Sequence, residues 1–424
     1  MTKMHGENTN QEQAASALPS ADISSVGIVG GGTMGRGIAM AFADAGIPAV
    51  IVETDQESAM RAKALIADTY RRSIARGSLD EAEMNARLAR ITTGGDYSLL
   101  SHADLIIEAA YEDMDVKHLI FRQLEGVARK NAILATNTSY LDIDEIASVI
   151  GTPERVAGMH FFSPANVMKL VEVVRGKNSS PAVIDTLVDI SRKIGKIPVV
   201  VGNCYGFVGN RMLNRRSEQV DRLLLEGASP ARIDSALTAF GFRMGPCAAS
   251  DLAGLDISWR MRRATGRSAP AADALVEAGR LGQKSGRGYY SYELDPRRPA
   301  VDPEATTIIE KAASELGIVR RVIETDEILD RVLLPMINEA ARILEEGIAE
   351  SPSDVDLVWV NGYGFPASRG GPMHYAQERG FANVAERLEE LSRSTGDPSL
   401  QPASLLRRAA ETGTFPRTGS HIDG

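Results

Sequence analysis

The chain has 424 residues, 43% hydrophobic and 24% charged, an ordinary balance for a folded protein and enough length for two or three domains. A net charge of −9 and a pI near 5.4 exclude a general nucleic-acid binder, which would carry a basic face. Two cysteines, Cys204 and Cys247, give neither a disulfide framework nor a zinc spacing, so a reducing compartment and no metal site are expected.

Residues 1–23 are polar and fit neither a secretory signal nor an Arg-rich transit peptide, so a disordered tail is expected there. No apolar run reaches the length of a membrane span. The terminal His-Ile-Asp-Gly is not a peroxisomal address of the Ser-Lys-Leu kind. Together these features lead to the expectation of a cytoplasmic protein, with neither nucleic acid nor membrane as partner.

Residues 25–29 read as a short buried strand that runs into Gly30-Gly-Gly-Thr-Met-Gly35 and then an apolar helical pattern. A second buried strand, 49–52, ends at Glu53. Strand, glycine-rich turn, helix, strand and acid is the order a dinucleotide site requires. Gly30 permits the tight turn, Gly32 lets a pyrophosphate approach the backbone, and Gly35 lets the helix pack on the strand. Thr33 and Met34 fall at the helix start, where free N–H groups and the positive dipole end face the phosphates. Glu53 is placed to bond the ribose hydroxyls and repel a 2′-phosphate, which favours NAD over NADP. The helix over 59–75 carries Arg61, Lys63, Arg71 and Arg72, with Arg76 just beyond. It reads as a solvated face, with Arg76 the first candidate for contact with a ligand phosphate.

Further strands are expected over 104–108 and 132–135, separated by a helix from about 114 to 129. The alternation implies a Rossmann-type, doubly wound parallel sheet with its ligands outside the strands' carboxyl ends. Glu108, Glu112, Asn137 and Ser139 then lie on the cofactor side. The strand ending in Gly158-Met-His160-Phe-Phe is broken by Ser163-Pro164, and residues 167–174 alternate as a strand should. A turn between them brings Glu172 within reach of His160. A carboxylate on one ring nitrogen fixes the tautomer and leaves the other nitrogen free to take a proton from a hydroxyl. Phe161 and Phe162 are expected to keep that ring dry and in place.

The combination of GGGTMGRGIA, IIEAAYEDMDVK, NTSYL, GMHFFSPANVMKLVEVV and CYGFVGNR resembles the L-3-hydroxyacyl-CoA dehydrogenase family. HFFSPANVM and VGNCYGFVGNRM most resemble the dehydrogenase part of multifunctional fatty-acid β-oxidation enzymes. The resemblance implies His160 as catalytic base, Glu172 as its partner, and Ser139 and Asn210 as contacts to the substrate's oxygens. It also implies Glu112, Lys117, Ser163 and Lys284 as cofactor-side residues, with NAD as cofactor. Tyr140 stands where many members have a second serine, and Ser163 where short members have asparagine. Both changes bear on the shape of the pocket and leave chain length open.

From 204 onward the pattern is helical, beginning with a long helix from 209 capped by Gly227. The stretch 223–246 recurs at 343–372 with Leu-Glu-Gly, Ser-Pro, Asp, Gly-Phe and Gly-Pro in order. That is the signature of two copies of one all-α unit. The expected organisation is a nucleotide domain over 24–203, a first helical domain over 204–295, a linker over 296–310 and a second helical domain over 311–424, with the Gly-, Pro- and charge-rich stretch 282–303 reading as linker. The second copy is expected to cover the first, making a monomer with an internal pseudo-dimer rather than a homodimer. No hydratase or isomerase domain is expected before the first strand, which leaves room for separate hydratase and thiolase partners.

The expected activity is the reversible NAD-dependent oxidation of (S)-3-hydroxyacyl-CoA to 3-oxoacyl-CoA in fatty-acid β-oxidation or related CoA-ester metabolism. One alternative is a dehydrogenase for an aromatic or alicyclic hydroxyacyl-CoA or a free hydroxy acid. The other is a non-catalytic, crystallin-like NAD-binding protein.

Overall fold

The computed structural model describes residues 22–415. The expected tail over 1–23 lies outside them except for its last two residues. There Ile23 is buried in the core and Asp22 pairs with Lys193 at 3.1 Å.

Eight strands form one sheet. They are β1 (Val26–Val29), β2 (Ala49–Val52), β3 (Ile91–Gly94), β4 (Leu105–Glu108), β5 (Ile133–Thr136), β6 (Val156–Phe161), β7 (Leu170–Arg175) and β8 (Ile197–Gly202). Their order is β3-β2-β1-β4-β5-β6-β7-β8, and the one antiparallel pairing is β6 with β7. Strands buried on both faces read as continuous apolar runs, as LIIE and AVIV do. Helices α1 (Thr33–Asp44), α2 (Gln56–Ala75), α3 (Glu81–Ala89), α4 (Met114–Val127), α5 (Ile143–Ala147) and α6 (Pro181–Lys193) connect them. The strand order reverses between β1 and β4, so a crevice opens at their carboxyl ends.

Two strands of this sheet were not anticipated. Three of the four residues of β3 are threonine or glycine, and β8 carries Pro198 near its start and only alternate fully buried residues. β3 therefore gives no apolar run, and in β8 Pro198 breaks a run that otherwise reads Ile-Val-Val-Val. β7 begins at Leu170 rather than 167, because the amides of Val167 and Met168 bond back to the Pro164 carbonyl in a turn.

Among the described residues eleven α-helices follow: α7 (Gly209–Glu226), α8 (Pro230–Phe240), α9 (Pro246–Ala253), α10 (Leu255–Ala264), α11 (Pro270–Glu277), α12 (Pro303–Glu315), α13 (Thr325–Glu345), α14 (Pro352–Gly362), α15 (Pro372–Arg379), α16 (Phe381–Thr395) and α17 (Ser404–Thr412). The repeat is visible in its local chemistry. Ser229 and Ser351 cap α8 and α14, each followed by proline at the first helical position. Asp234 accepts from the amides of Cys247 and Ala248, and Asp356 from those of Met373 and His374. Gly254 and Gly380, at φ 98° and 87°, link the third and fourth helices of each copy in a conformation that favours glycine.

The long helices α7 and α13 lie along one another. Ion pairs cross between the copies: Arg211 to Glu339 and Glu346, both at 2.6 Å, and the fully buried Arg331 to Glu226 at 2.5 Å. The Gly- and Pro-rich stretch is not a free spacer. Tyr289, Tyr290 and Tyr292 are buried, and the carboxylate of Asp251 accepts from the first two amides and from the Tyr292 hydroxyl. Helix α12 begins inside the expected 296–310 linker and packs on α11 and α7.

Candidate active site

The glycine loop follows β1 directly. Gly30 has φ 100°, and a β-carbon there would meet the Ala109 carbonyl at 2.7 Å. At Gly35 it would meet the Gly30 carbonyl at 1.8 Å, whereas nothing lies within 4 Å of one at Gly32. So Gly30 and Gly35 shape the turn, and Gly32 leaves open space at the start of α1. That helix has no side-chain cap, so its first N–H groups, at Thr33 and Met34, have no side-chain partner and face outward. Glu53, at the end of β2, accepts from the Gly31 amide at 2.7 Å, which ties the acid to the loop. Arg36, which the sequence reading did not single out, donates to the Gly31 carbonyl at 2.8 Å. Burial lowers its pKa, and the Glu53 charge opposes that shift. This donor set, with open space above it, fits a dinucleotide.

A second cluster closes the ends of β4 and β5. Lys117, 1% exposed, donates to both oxygens of the buried Glu108 at 2.8 Å and pairs with Glu112 at 3.3 Å. Thr136 donates to Glu108 at 2.6 Å. Glu112 then accepts from the Thr138 hydroxyl at 2.6 Å and the Ser139 amide at 2.9 Å. Lys117 is thereby engaged by both carboxylates. The Asn137 carboxamide oxygen accepts from the Phe161 amide at 2.9 Å, pinning β5 to β6. Ser139 is half-buried, and among the described residues its hydroxyl has no hydrogen-bond partner.

His160 and Glu172 are direct cross-strand partners in the β6–β7 hairpin. Their side chains meet at 2.8 Å, His160 Nδ1 to Glu172 Oε2. The other oxygen of Glu172 accepts from the amides of Val208 and Gly209 at 3.2 and 3.0 Å. These amides form the start of α7, which has no side-chain cap of its own. The carboxylate therefore ties the hairpin to the helical half and engages the imidazole at Nδ1, leaving Nε2 for a reacting group.

The ring is packed by Phe162 at 4.6 Å and Phe207 at 5.7 Å between centroids. The expectation for the two phenylalanines needs a correction. Successive strand residues point to opposite faces, so Phe161 joins the core on the far side of the sheet. Phe207 takes its place beside the ring, in a left-handed conformation at φ 49° that costs about 1–3 kcal/mol in a non-glycine residue. Such strain occurs where the surroundings over-determine a functional geometry.

Asn210, on the first turn of α7, faces the same region. Its Nδ2 lies 3.4 Å from the Ser139 carbonyl, which brings Ser139 and Asn210 together near His160. Beside them a cavity of about 380 Å³ is lined by Tyr140, Tyr205, Leu213, Leu255, Met261 and Tyr363. The remaining expected residues stand apart from the His160–Glu172 pair. Ser163 is exposed, at the cis Ser163-Pro164 bond. Arg76 is exposed at the end of α2. Lys284 lies on a short 3-10 turn in the first helical copy, ion-paired to Asp256. Among the described residues no helix is long and apolar enough to cross a membrane.

A glycine loop at a sheet's switch point and a carboxylate-oriented histidine at the carboxyl end of another strand of that sheet, followed by a helical second half, are the features of a class of nicotinamide-dependent dehydrogenases. Within that class the chain belongs to the 3-hydroxyacyl-CoA dehydrogenase family. The family's NAD-binding domain matches residues 25–204, and its C-terminal domain matches twice, at 206–292 and 328–421. The chain is 43% identical to the peroxisomal bifunctional enzyme of Cavia porcellus, over 95% of this chain and 58% of that protein. It is 35% identical to the fatty acid oxidation complex subunit alpha of Psychrobacter cryohalolentis, over 93% of this chain and 56% of that one. It thus spans little more than half the length of these relatives. Among solved structures, the 3-hydroxybutyryl-CoA dehydrogenase of Escherichia coli superposes with a TM-score of 0.79 at 28% identity, covering 93% of this chain and 99% of that one. The dehydrogenase part of a Caenorhabditis elegans multifunctional enzyme gives 0.69 at 34%, covering 92% and 90%.

Proposed function

We propose that the chain catalyses the reversible NAD-dependent oxidation of (S)-3-hydroxyacyl-CoA to 3-oxoacyl-CoA. The observation that carries this reading is the 2.8 Å contact between His160 Nδ1 and a Glu172 whose other oxygen is held by two backbone amides. With its proton on Nδ1 donated to Glu172, the imidazole presents a bare Nε2 to the substrate's 3-hydroxyl. His160 takes that proton, and Glu172 stabilises the imidazolium that results. Bound NAD+ supplies the hydride acceptor. Ser139 and Asn210 hold the reacting oxygen from the other side. Phe162 and Phe207 exclude water from the ring.

The loop residues Gly30, Gly32, Thr33, Met34 and Gly35, with Glu53, form the cofactor cradle in this proposal. Glu112, Lys117, Asn137, Ser163 and Lys284 serve the cofactor side, and Arg76 a CoA phosphate. The domain organisation is part of the same reading, with one nucleotide unit and two helical copies. The crossed ion pairs of α7 and α13 support a monomer with an internal pseudo-dimer. A cytoplasmic setting belongs to it too, and a tagged chain found inside a membrane-bounded organelle would refute that part. The activity is tested by incubating purified protein with acetoacetyl-CoA and NADH and following NADH absorbance, with free 3-oxo acids in parallel. Loss of absorbance with the CoA ester and not with the free acid is expected; no loss at any pH refutes the proposal.

A further inference from the structure

Asn210 has a partner from a distant part of the chain. The hydroxyl of Tyr363, in the second helical copy and 153 residues away, donates to Asn210 Oδ1 at 2.8 Å. The phenol is held firmly in that position. Its ring stacks on the fully buried Trp359 at 4.8 Å and meets Phe162 edge-on at 5.4 Å. Phe162 is itself the ring against His160. A β-carbon on Gly209 would strike the Tyr363 ring and hydroxyl at 2.2–2.6 Å. The first residue of α7 is thus a glycine where the phenol needs room. The same residue donates its amide to Glu172.

A carboxamide has one end that accepts and one that donates, and its orientation follows from its partners. The Ser139 carbonyl accepts only, so it must face Nδ2, and the phenol must then donate to Oδ1. The contact to Ser139 is long, at 3.4 Å, so the phenol is the stronger of the two constraints. Burial beside the Glu172 carboxylate raises the Tyr363 pKa well above its ordinary value, which keeps the proton on the phenol. One N–H of Asn210 remains for a ligand oxygen.

The repeat sharpens the point. Phe240-Gly-Phe242 in the first copy corresponds to Tyr363-Gly-Phe365 in the second. Phe240 has no hydroxyl and packs among Phe242, Phe365 and Tyr375. Of these two equivalent aromatic positions, the one that reaches Asn210 carries a hydroxyl.

We infer that Tyr363 is a positioning residue, by which the second helical copy fixes the Asn210 carboxamide with its N–H toward the substrate's 3-oxygen. This rests on the reading of Asn210 as a substrate contact. The second copy then completes the site as well as covering the first.

The test is a cycle of Tyr363→Phe, Asn210→Ala and the double variant. Each is assayed for acetoacetyl-CoA reduction, NADH affinity and melting temperature. Phe keeps both ring contacts, so the fold and NADH binding should be unchanged. The inference predicts a fall in kcat of about tenfold for Tyr363→Phe, less than the loss of a direct donor. It predicts no further loss when Tyr363→Phe is added to Asn210→Ala. Full activity in Tyr363→Phe beside an inactive Asn210→Ala overturns the inference alone, as does an undiminished effect in the double variant. An active Asn210→Ala overturns the reading of Asn210, and the inference with it. Should Tyr363→Phe melt far below wild type, its NADH-saturated kcat below the melting point decides in the same way.

Discussion

Replacing Glu172 by Gln keeps the side chain's size but forces a choice between its two ends. Oε1 accepts from two amides at the start of α7, and Oε2 accepts from His160 Nδ1. A glutamine has one oxygen and one NH2. If the NH2 faced the helix, two buried amide donors would lose their acceptor, at about 1–3 kcal/mol each. If it faces His160, only one contact changes, and that arrangement wins. The imidazole must then accept at Nδ1 and carry its proton on Nε2, the nitrogen assigned to take the substrate's proton. A base held in the wrong tautomer loses about 10²–10⁴-fold in kcat, while the glycine loop and NADH binding are untouched. The assay is steady-state oxidation of (S)-3-hydroxybutyryl-CoA, with NADH affinity measured by fluorescence on the same sample. A kcat within about threefold of wild type, at full NADH binding, would refute the tautomer argument.

Other outcomes follow from the same contacts. Glu53→Gln removes the charge that repels a 2′-phosphate, and the ratio of NADPH to NADH affinity should rise by about tenfold; an unchanged ratio removes Glu53 from cofactor choice. Arg331→Met leaves Glu226 without its buried partner across the two copies and should cost about 2–4 kcal/mol in denaturant unfolding, whereas a loss within error would mean the pair does not hold the copies together. Burial raises the Asp356 carboxyl from 3.8 to about 6, so between those values the native state binds more protons than the unfolded chain. Stability then falls as pH rises through the window, by on the order of 1–2 kcal/mol after allowing for partial exposure; the Asp356→Asn variant should lack that slope. Sedimentation of the purified chain should give a mass near 45.5 kDa, and a value near twice that would count against the internal pseudo-dimer.

The parts of the site that were legible in the sequence are local or have a fixed period. The glycine loop, α1 and Glu53 lie within one strand–helix–strand unit, where Gly30 and Gly35 answer contacts that a β-carbon would destroy and Gly32 leaves open space. The His160–Glu172 pair was readable because Ser163-Pro164 turns the chain back, so that the second strand returns antiparallel beside the first. The same period of two was misjudged at Phe161, which points away from the ring. The role of Phe207 was hidden because a left-handed phenylalanine has no sequence signature. The burial of 282–292 was missed because glycine and proline outweighed three tyrosines whose carboxylate partners lie far back in the chain. Tyr363 was beyond reach for the same reason. Its significance depends on how the second copy docks on α7, and no local pattern encodes that.

The central claim is that His160, oriented by Glu172, moves the proton while NAD carries the hydride. The most direct measurement is acetoacetyl-CoA reduction by wild type and His160→Ala in parallel, each with NADH binding confirmed. The account predicts NADH consumption by wild type and none above background by the variant, with equal NADH affinity. Turnover by His160→Ala at the wild-type rate would contradict it.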